Sequence, residues 1–241
     1  MDIRNERVDK LIKEQLDIIQ NDDVFSFSTD ALLLGHFTTL RKRDRVMDLC
    51  SGNGVIPLLL SAKGSHDIEG VEIQEQLVDM AVRSIARNHL TTRIRMHHMD
   101  LKTVQQHFLP AQYSVVTCNP PYFKMNQVHR HEKIAHQIAR HELYCTLSDC
   151  TRAAKHLLKQ GGRLVMVHRA ERLMDVLEAM REQRIEPKWI QMIYSKPGRE
   201  AHAIVVEGRK EGQPGLKVNA PFYIYNQDGT YTTAMQEIYY G

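Results

Sequence analysis

A short motif, Asn119-Pro120-Pro121-Tyr122, contains the residue types that can hold a planar group bearing an NH2. The Asn119 side-chain oxygen and the Pro120 carbonyl oxygen can each accept one proton of such an amine, and Tyr122 can stack on its ring. Because the lone pair of an exocyclic amine is delocalised into its ring, two acceptors bias the nitrogen toward attack on an electrophilic methyl group. We therefore predict a catalytic turn here. A capped, proline-rich turn is the alternative, since Asn-Pro is a common turn dipeptide.

A second group of candidate residues surrounds a tight glycine loop. Residues 45–49 have the pattern of a short strand that contains Asp48, and a loop with Gly52 and Gly54 follows. These glycines can adopt positive φ and let a ligand approach the backbone closely. The dinucleotide-binding fingerprint G-x-G-x-x-G is not met, because Pro57 occupies its third glycine position. The loop is a candidate ligand loop, and an ordinary β-α turn is the alternative.

Two more acidic residues stand where predicted strands end. Residues 68–73 have Glu72 near their end, whose carboxylate can accept hydrogen bonds from both hydroxyls of a ribose. Residues 93–98 are followed by Asp100, which can accept from an adenine amino group or cap the next helix. Since open α/β sheets bind ligands at the carboxyl ends of their strands, these acids, the glycine loop and the Asn-Pro turn are expected at one edge.

The residues before the first core strand contain two segments with helical signals. In residues 5–19 the apolar positions recur at near-helical spacing, which indicates a leading helix or a loose arm. Thr29 or Asp30 can cap a helix over residues 31–40. Such an N-terminus offers free N–H groups to an anion, and a plain N-cap explains the same residues.

The remaining segments alternate between helical and strand patterns. Predicted helices cover 55–62, 75–88, 102–108, 140–158 and 170–180, and predicted strands cover 113–116, 163–168, 188–194 and 201–207. Gly161 and Gly162 would end the helix before the strand that begins at Arg163. The last two strands are joined by a short link, so the final strand should run antiparallel to its neighbour. Residues 124–133 are polar and rich in cations, which indicates either a loop beside the site or a plain solvated loop.

This alternation predicts an α/β fold with a doubly wound, Rossmann-like sheet. We expect seven strands, mostly parallel with an antiparallel last strand, and helices on both faces. The 241 residues suit a single domain.

Composition excludes several classes of protein. No run of about 18 apolar residues is present, so we expect no membrane contact, and the charged N-terminus lacks the apolar core of a signal peptide. The four cysteines contain no C-x-x-C pair, which indicates reduced thiols of a cytoplasmic protein. The 13 histidines are scattered, so we expect no metal site. A net charge of +3 permits nucleic acid without arguing for it.

The order and spacing of the four motifs resemble the Rossmann-like, S-adenosylmethionine-dependent methyltransferases whose fourth motif reads N-P-P-Y. The resemblance covers nearly the whole chain. Residues 27–34, Arg140-His141-Glu142 and residues 196–208 further resemble the small bacterial tRNA1(Val) adenine-N6-methyltransferases and the wider group of small-domain methyltransferases. The resemblance implies transfer of a methyl group to the N6 amine of an adenosine in RNA, in tRNA near the anticodon. We expect a monomer or a weak homodimer.

The family assigns roles to individual positions. Residues implied in binding S-adenosylmethionine are Thr29, Asp30, Asp48, Cys50, Ser51, Gly52, Gly54, Glu72, Ile73, Asp100, Leu101 and Asn119. Residues implied in binding the substrate are Tyr122, Phe123, Lys124, Arg130 and Lys133. Residues 1–40 would form a helical lead-in that closes over the cofactor, 41–208 the core and 209–241 a C-terminal extension. Cys50 departs from the Gly or Ala often found at its position, and its small side chain should be tolerated.

Several other functions share these motifs. The N-P-P-Y motif also occurs in protein glutamine-N5 methyltransferases, which usually carry a sizeable helical domain before the core. Guanine-N2 methyltransferases of ribosomal RNA often carry a second, degenerate core, and DNA methyltransferases generally need a target-recognition domain. A non-catalytic cofactor-binding or RNA-binding module is a further alternative, against which the intact Asp48, Glu72 and Asn119 argue.

Overall fold

The computed structural model describes residues 5–21, 27–64, 66–121 and 145–241. Its strands are β1 (Glu6–Leu11), β2 (Leu16–Asn21), β3 (Arg45–Leu49), β4 (Asp67–Glu72), β5 (Ile94–His98), β6 (Tyr113–Cys118), β7 (Leu158–Arg169), β8 (Ile185–Tyr194), β9 (Ala201–Lys210), β10 (Lys217–Val218) and β11 (Phe222–Tyr223). Its α-helices are α1 (Thr29–Phe37), α2 (Val55–Ser61), α3 (Glu75–Arg87), α4 (Val104–His107), α5 (Leu147–Leu157), α6 (Leu173–Glu182) and α7 (Thr233–Tyr239). Short 3-10 turns precede α4 and α6.

Seven long strands form one sheet in the order β5-β4-β3-β6-β7-β9-β8. All are parallel except β9, which runs antiparallel to both β7 and β8. The predicted doubly wound α/β sheet and its antiparallel last strand are confirmed. The two-residue strands β10 and β11 add to the outer edge of β8. The strand order reverses between β3 and β6, and such a reversal opens a crevice at the carboxyl ends of the strands.

Two apolar layers cover the two faces of the sheet. Neighbouring strand residues alternate between them: Val46 and Val115 belong to one layer, and Met47 and Val116 to the other. Helices α1, α2 and α7 contribute to the first layer, and α4, α5 and α6 to the second. This alternation follows from the two-residue period of a strand, which places successive side chains on opposite faces.

Residues 6–21 form a hairpin, so the expectation of a leading helix or loose arm is wrong. Strands β1 and β2 pair antiparallel, and Gln15 has φ of 57° in the turn between them. The partners of β2 come from distant parts of the chain. Ser84 Oγ accepts from the Ile19 N–H at 2.9 Å, and Asn53 Nδ2 donates to the Ile19 carbonyl at 3.0 Å. Tertiary contacts therefore decide a segment whose apolar spacing is compatible with a helix.

Other element boundaries differ from the sequence-based expectations. Helix α5 ends at Leu157, and Gly161 and Gly162 lie inside β7 rather than ending the helix. Leu158 already has extended φ and ψ, and Gly161 adopts φ of +70° near a register shift between β6 and β7. The start predicted for this helix, at residue 140, lies outside the described residues. Helix α1 begins and ends earlier than expected, at Thr29 and Phe37, so Thr29 and Asp30 lie in its first turn and Ser28, rather than either of them, is the N-cap residue.

The C-terminal residues pack onto the core. The predicted turn at residues 226–229 is present, since the Gly229 N–H donates to the Asn226 carbonyl at 3.1 Å. Helix α7 follows, with Met235 and Ile238 buried in the same layer as α1. Within the described ranges, no helix has the length and apolar character needed to span a bilayer.

A buried ion network holds β7 to its surroundings. The guanidinium of Arg163, which is 9% exposed, donates to Asp44 Oδ2 at 3.0 Å, to Glu207 Oε2 at 3.2 Å and to the Thr39 carbonyl at 2.8 Å. Removing one partner from such a network leaves an uncompensated buried charge.

A second network surrounds Glu69 on β4. Tyr113 Oη donates to its carboxylate at 2.8 Å, Arg45 at 2.6 Å, and His97 Nε2 lies 2.7 Å away. Burial raises the pKa of Glu69, but hydrogen bonds from His97, Tyr113 and Arg45 outweigh burial and lower the pKa to about 2. The carboxylate is therefore ionised across the physiological range.

Candidate active site

The glycine loop between β3 and α2 is held in an unusual backbone conformation. Cys50, Gly52 and Gly54 have φ of 57°, 57° and 81°. A Cβ added at Gly54 would lie 3.0 Å from the Ala81 Cβ, so glycine lets the start of α2 approach α3. The Ser51 N–H donates to the carbonyl of Val71 near the end of β4 at 3.0 Å. The predicted loop thus forms at the crevice, with its backbone fixed by the neighbouring strand.

Asp48 lies fully buried beneath this loop. Thr117 Oγ1 on β6 donates to Asp48 Oδ1 at 2.6 Å, whereas Asp48 Oδ2 has no hydrogen-bond partner among the described residues. Burial raises the pKa of Asp48 to about 7, although hydrogen bonds from Ser51 and Thr117 oppose this, and the charge of Glu72 raises the pKa further. A buried, unpartnered carboxylate oxygen is costly unless a ligand supplies a donor. Its chemistry suits an ammonium group.

Glu72 braces the glycine loop from the end of β4. Its Oε2 accepts from the Gly52 N–H at 2.9 Å, and its Oε1 accepts from the Gln74 N–H at 3.0 Å. Glu72 is 6% exposed. A carboxylate has about four lone-pair sites, so acceptor capacity remains for a ligand diol. Ile73, which follows directly, accepts through its carbonyl from His98 Nε2 at 3.0 Å.

Asp100 stands at the neighbouring strand end. Its Oδ1 accepts from the Lys102 N–H at 2.9 Å, so it caps the turn that leads into α4. The Met99 N–H donates to the Glu72 carbonyl at 2.9 Å, which brings the residues after β5 beside the end of β4. Leu101 is buried at 6% exposure. The capping interpretation is confirmed, and a role toward adenine stays a prediction.

Asn119 follows β6 at the point where the strand order reverses. Leu49 and Cys118 are register partners at the ends of β3 and β6, so Asn119 and the glycine loop leave the sheet side by side. Asn119 is half-buried, Pro120 is buried and Pro121 is half-buried. The other predicted residues of this region lie outside the described residues: Tyr122, Phe123, Lys124, Arg130 and Lys133.

Thr29 and Asp30 begin α1, which packs on α2, β7 and β9. Asp30 lies near His202 at the start of β9, where burial lowers the pKa of His202 and the charge of Asp30 opposes this. The structure thus relates Asp30 to β9. Closure of Thr29 and Asp30 over a cofactor stays a prediction.

Two site residues were missed by the sequence analysis. Thr117 is a fully buried polar residue inside an apolar strand, and such a residue needs a partner, which is Asp48. Asn53 joins the glycine loop to β2 through its amide. Its position inside the loop was visible, but its partner Ile19 lies in a hairpin that the sequence did not predict.

Comparison with known proteins identifies the family. Residues 15–185 match the family model described as the methyltransferase small domain, which is more than half of the chain. A relative from Tolumonas auensis, named tRNA1(Val) (adenine(37)-N6)-methyltransferase, is 29% identical over 64% of this chain and 63% of its own length. A relative of the same name from Aeromonas hydrophila is 25% identical over 85% of this chain and 84% of its own length. The alignment to the first of these spans a little under two thirds of the relative.

Solved structures show the same fold. A predicted O-methyltransferase from Agrobacterium tumefaciens superposes with a TM-score of 0.71 at 20% identity, over 87% of this chain and 95% of that one. Geranyl diphosphate C-methyltransferase from Streptomyces coelicolor, in complex with S-adenosyl-L-homocysteine, gives a TM-score of 0.55 at 13% identity, over 75% and 79%. At these identities the likeness concerns the fold alone.

The residues at the crevice fit S-adenosylmethionine. The unpartnered Oδ2 of Asp48 suits the ammonium of its methionyl part, and Glu72 retains acceptor capacity for its ribose. The glycine loop between them leaves the backbone open to close approach. The chain therefore belongs to the methyltransferase small domain family.

Proposed function

We propose that this protein methylates the N6 amine of an adenosine in tRNA, near the anticodon. The observation that carries the proposal is the position of Asn119 beside the glycine loop, one residue beyond the Leu49–Cys118 pair. An amide acceptor there suits an exocyclic NH2 held next to the cofactor. The shared name of the relatives supports tRNA adenine as the substrate.

In the proposed mechanism, the protein acts by holding the amine. The cofactor supplies an electrophilic sulfonium methyl group. The Asn119 side-chain oxygen and the Pro120 carbonyl each accept one proton of the amine, which orients the nitrogen lone pair toward that methyl. A strong general base is not needed, because the proton leaves after the nitrogen has become cationic. For Tyr122, stacking on the target base is proposed from the sequence alone.

The adenine must be unstacked before it can reach Asn119. Extruding a base costs a few kcal/mol, and the cost is smallest in a single-stranded loop. Stacking on an aromatic side chain offsets about 1–3 kcal/mol of this. An anticodon loop is therefore a favourable substrate on energetic grounds.

The edge of the sheet that carries the site also carries exposed basic residues. Arg169 ends β7, and Arg199 lies in the link between β8 and β9 together with the half-buried Lys196. Replacing all three by Gln should weaken tRNA binding and reduce the salt slope by about 0.7–0.9 per lost phosphate contact. The control replaces Lys159 and Arg184, which are exposed at the opposite edge, and its effect is compared per charge removed. Equal effects from both sets would count against this edge as the tRNA surface.

The deciding experiment supplies methyl-labelled S-adenosylmethionine with tRNA from cells lacking the gene, with ribosomal RNA and with protein extract. We expect label in tRNA, recovered as N6-methyladenosine after nuclease digestion. Label in protein would instead identify a glutamine methyltransferase, and label in ribosomal RNA as N2-methylguanosine a guanine-N2 enzyme. No label with intact cofactor binding would favour a binding module.

A variant at Asn119 tests the proposed mechanism. Asn119→Ala should keep cofactor affinity and lose about 100-fold or more in turnover, as when one positioned polar group is removed from other active sites. Asn219→Ala, at an exposed asparagine in the C-terminal region, serves as the matched control and should leave both unchanged. Full turnover in the Asn119 variant would remove this amide from the mechanism.

A further inference from the structure

All four cysteines of the chain converge behind the active site. Cys50 begins the glycine loop, Cys118 ends β6 just before Asn119, and Cys145 and Cys150 lie at the start of α5. The sulfur atoms of Cys50, Cys118 and Cys150 all lie within 4.8 Å of one another. Cys145 Sγ lies 3.8 Å from Cys50 Sγ and 3.1 Å from Cys150 Sγ. Residues from three separate parts of the chain thus form one four-sulfur cluster.

The spacing of the sulfurs approaches that of a metal site. With a zinc–sulfur bond of about 2.3 Å, the sulfurs of a tetrahedral tetrathiolate are about 3.8 Å apart. Five of the six sulfur–sulfur separations lie within 4.8 Å, including those of 3.1 Å and 3.8 Å, and a tetrahedral site requires the side chains of Cys118 and Cys145 to move toward each other. Thiolates are soft ligands and select zinc and similar cations over hard ones.

The surroundings of the cluster do not suit reactive thiols. Cys118 and Cys150 are fully buried, Cys50 and Cys145 are half-buried, and apolar side chains such as Leu147 surround them. Reactive cysteines instead lie in partially exposed, electropositive surroundings.

We propose that Cys50, Cys118, Cys145 and Cys150 form a tetrathiolate site for one soft divalent cation, zinc in the cell. On binding, each thiol releases its proton to solvent and its sulfur forms one bond to the metal. Helix α5 begins between Cys145 and Cys150, so its dipole places partial positive charge beside the resulting negative charge. The site is structural: it would join the glycine loop, the turn after β6 and the start of α5.

The sequence gives little sign of this site. Cys50 and Cys145 are 95 residues apart, and no pair has the short C-x-x-C spacing of common zinc motifs. The expectation of no metal rested on the scattered histidines, and the absence of a C-x-x-C pair indicated reduced thiols. Cysteine clusters in proteins without a disulfide framework are more often metal-binding or catalytic than structural disulfides.

The test uses the full chain, stripped of metal under reducing conditions and titrated with Cd²⁺ and then with Zn²⁺. We expect a sulfur-to-cadmium charge-transfer band that saturates at one equivalent, and loss of that band when Zn²⁺ competes. Reaction with a thiol reagent should slow for all four cysteines together, because the chain has no other thiol. Neither readout requires methyl transfer, so failure here is distinct from failure of the proposed function.

Two cysteine variants and one histidine variant locate the metal. Cys145→Ser and Cys150→Ser should each lower Cd²⁺ affinity by about 10-fold or more, since even the loss of an outer-shell partner costs that much. His107→Gln, at an exposed histidine, is the control and should bind as the wild type does. Circular dichroism checks folding, and the half-buried Cys145 provides a usable variant if Cys150→Ser unfolds. The proposal is overturned by the absence of the band, by binding that survives both serine variants, or by a disulfide forming in its place.

Discussion

The buried carboxylate of Asp48 makes the stability of the free protein depend on pH. Its pKa is about 7 in the folded chain against the usual value of 3.8, because it is fully buried. Between these two values the folded state holds one proton more than the unfolded state, so the free energy of unfolding falls as pH rises. The contribution of this extra proton to the free energy of unfolding is complete below about pH 4 and lost above about pH 7. Asp48→Asn removes this titration.

The size of the effect follows from the pKa difference. Each pKa unit corresponds to about 1.36 kcal/mol, so the full difference is about 4 kcal/mol, of which about 3 kcal/mol falls between about pH 5 and pH 8. The asparagine can still accept from Thr117 through its oxygen. Its NH2 replaces an atom that has no described partner, which costs about 1–3 kcal/mol at every pH. The slope with pH, rather than the absolute stability, therefore tests the reasoning.

The assay is urea unfolding of both proteins, without cofactor, at a series of pH values. Subtracting the two curves cancels the titration of all other groups, and the difference should change by about 3 kcal/mol from about pH 5 to pH 8. The Thr117 hydroxyl stabilises the Asp48 carboxylate, so Thr117→Val should move the fall in the free energy of unfolding to higher pH. Thr117→Ser keeps the hydroxyl and should leave the pH of this fall unchanged. Parallel curves for wild type and Asp48→Asn would refute the raised pKa.

Three further substitutions test other contacts. Glu72→Gln should raise the cofactor dissociation constant about 10-fold or more, because a hydrogen bond to a charged group contributes about 1.5–3 kcal/mol; an unchanged value by calorimetry would contradict the ribose role. Arg163→Met should lower the free energy of unfolding by about 3–5 kcal/mol, and Arg163→Lys should lower it by an intermediate amount. A loss below about 1 kcal/mol for Arg163→Met would show that the network contributes little to stability. Glu69→Gln should cost about 2 kcal/mol at neutral pH, less than the full pKa difference because its partners meet solvent. That cost should shrink as the pH falls from the usual carboxyl pKa of 4.5 toward the folded-state pKa of about 2. A constant cost in acid would contradict the lowered pKa.

The core of the sheet and the acids at its edge could be predicted because their signals are local. Apolar runs such as residues 113–116 mark buried strands, and parallel strands necessarily bring their carboxyl ends together. Asp48, Glu72 and the Asn-Pro turn follow from this rule without knowledge of any long-range contact. Their positions at neighbouring strand ends agree with that expectation.

The parts that could not be predicted depend on distant partners. The spacing of apolar residues in 5–19 is compatible with a helix, and the hairpin is fixed by Asn53 and Ser84, which no local pattern relates to it. The cysteine cluster likewise joins residues from three segments. A sequence pattern indicates whether a side chain faces the core or solvent, but it does not identify the distant residue that the side chain contacts.

The attachment of the hairpin to the glycine loop has a consequence for dynamics. The Ile19 N–H donates a hydrogen bond to Ser84, and the Ile19 carbonyl accepts one from Asn53 within the glycine loop. Undocking of β2 therefore exposes the Ile19 N–H to solvent and breaks the contact that holds the loop. Local openings of this kind are read by amide hydrogen exchange. Exchange at Ile19 should therefore slow when the cofactor binds, although Ile19 lies in a segment outside the central sheet. The N-terminal hairpin thus acts as a built-in reporter of loop order.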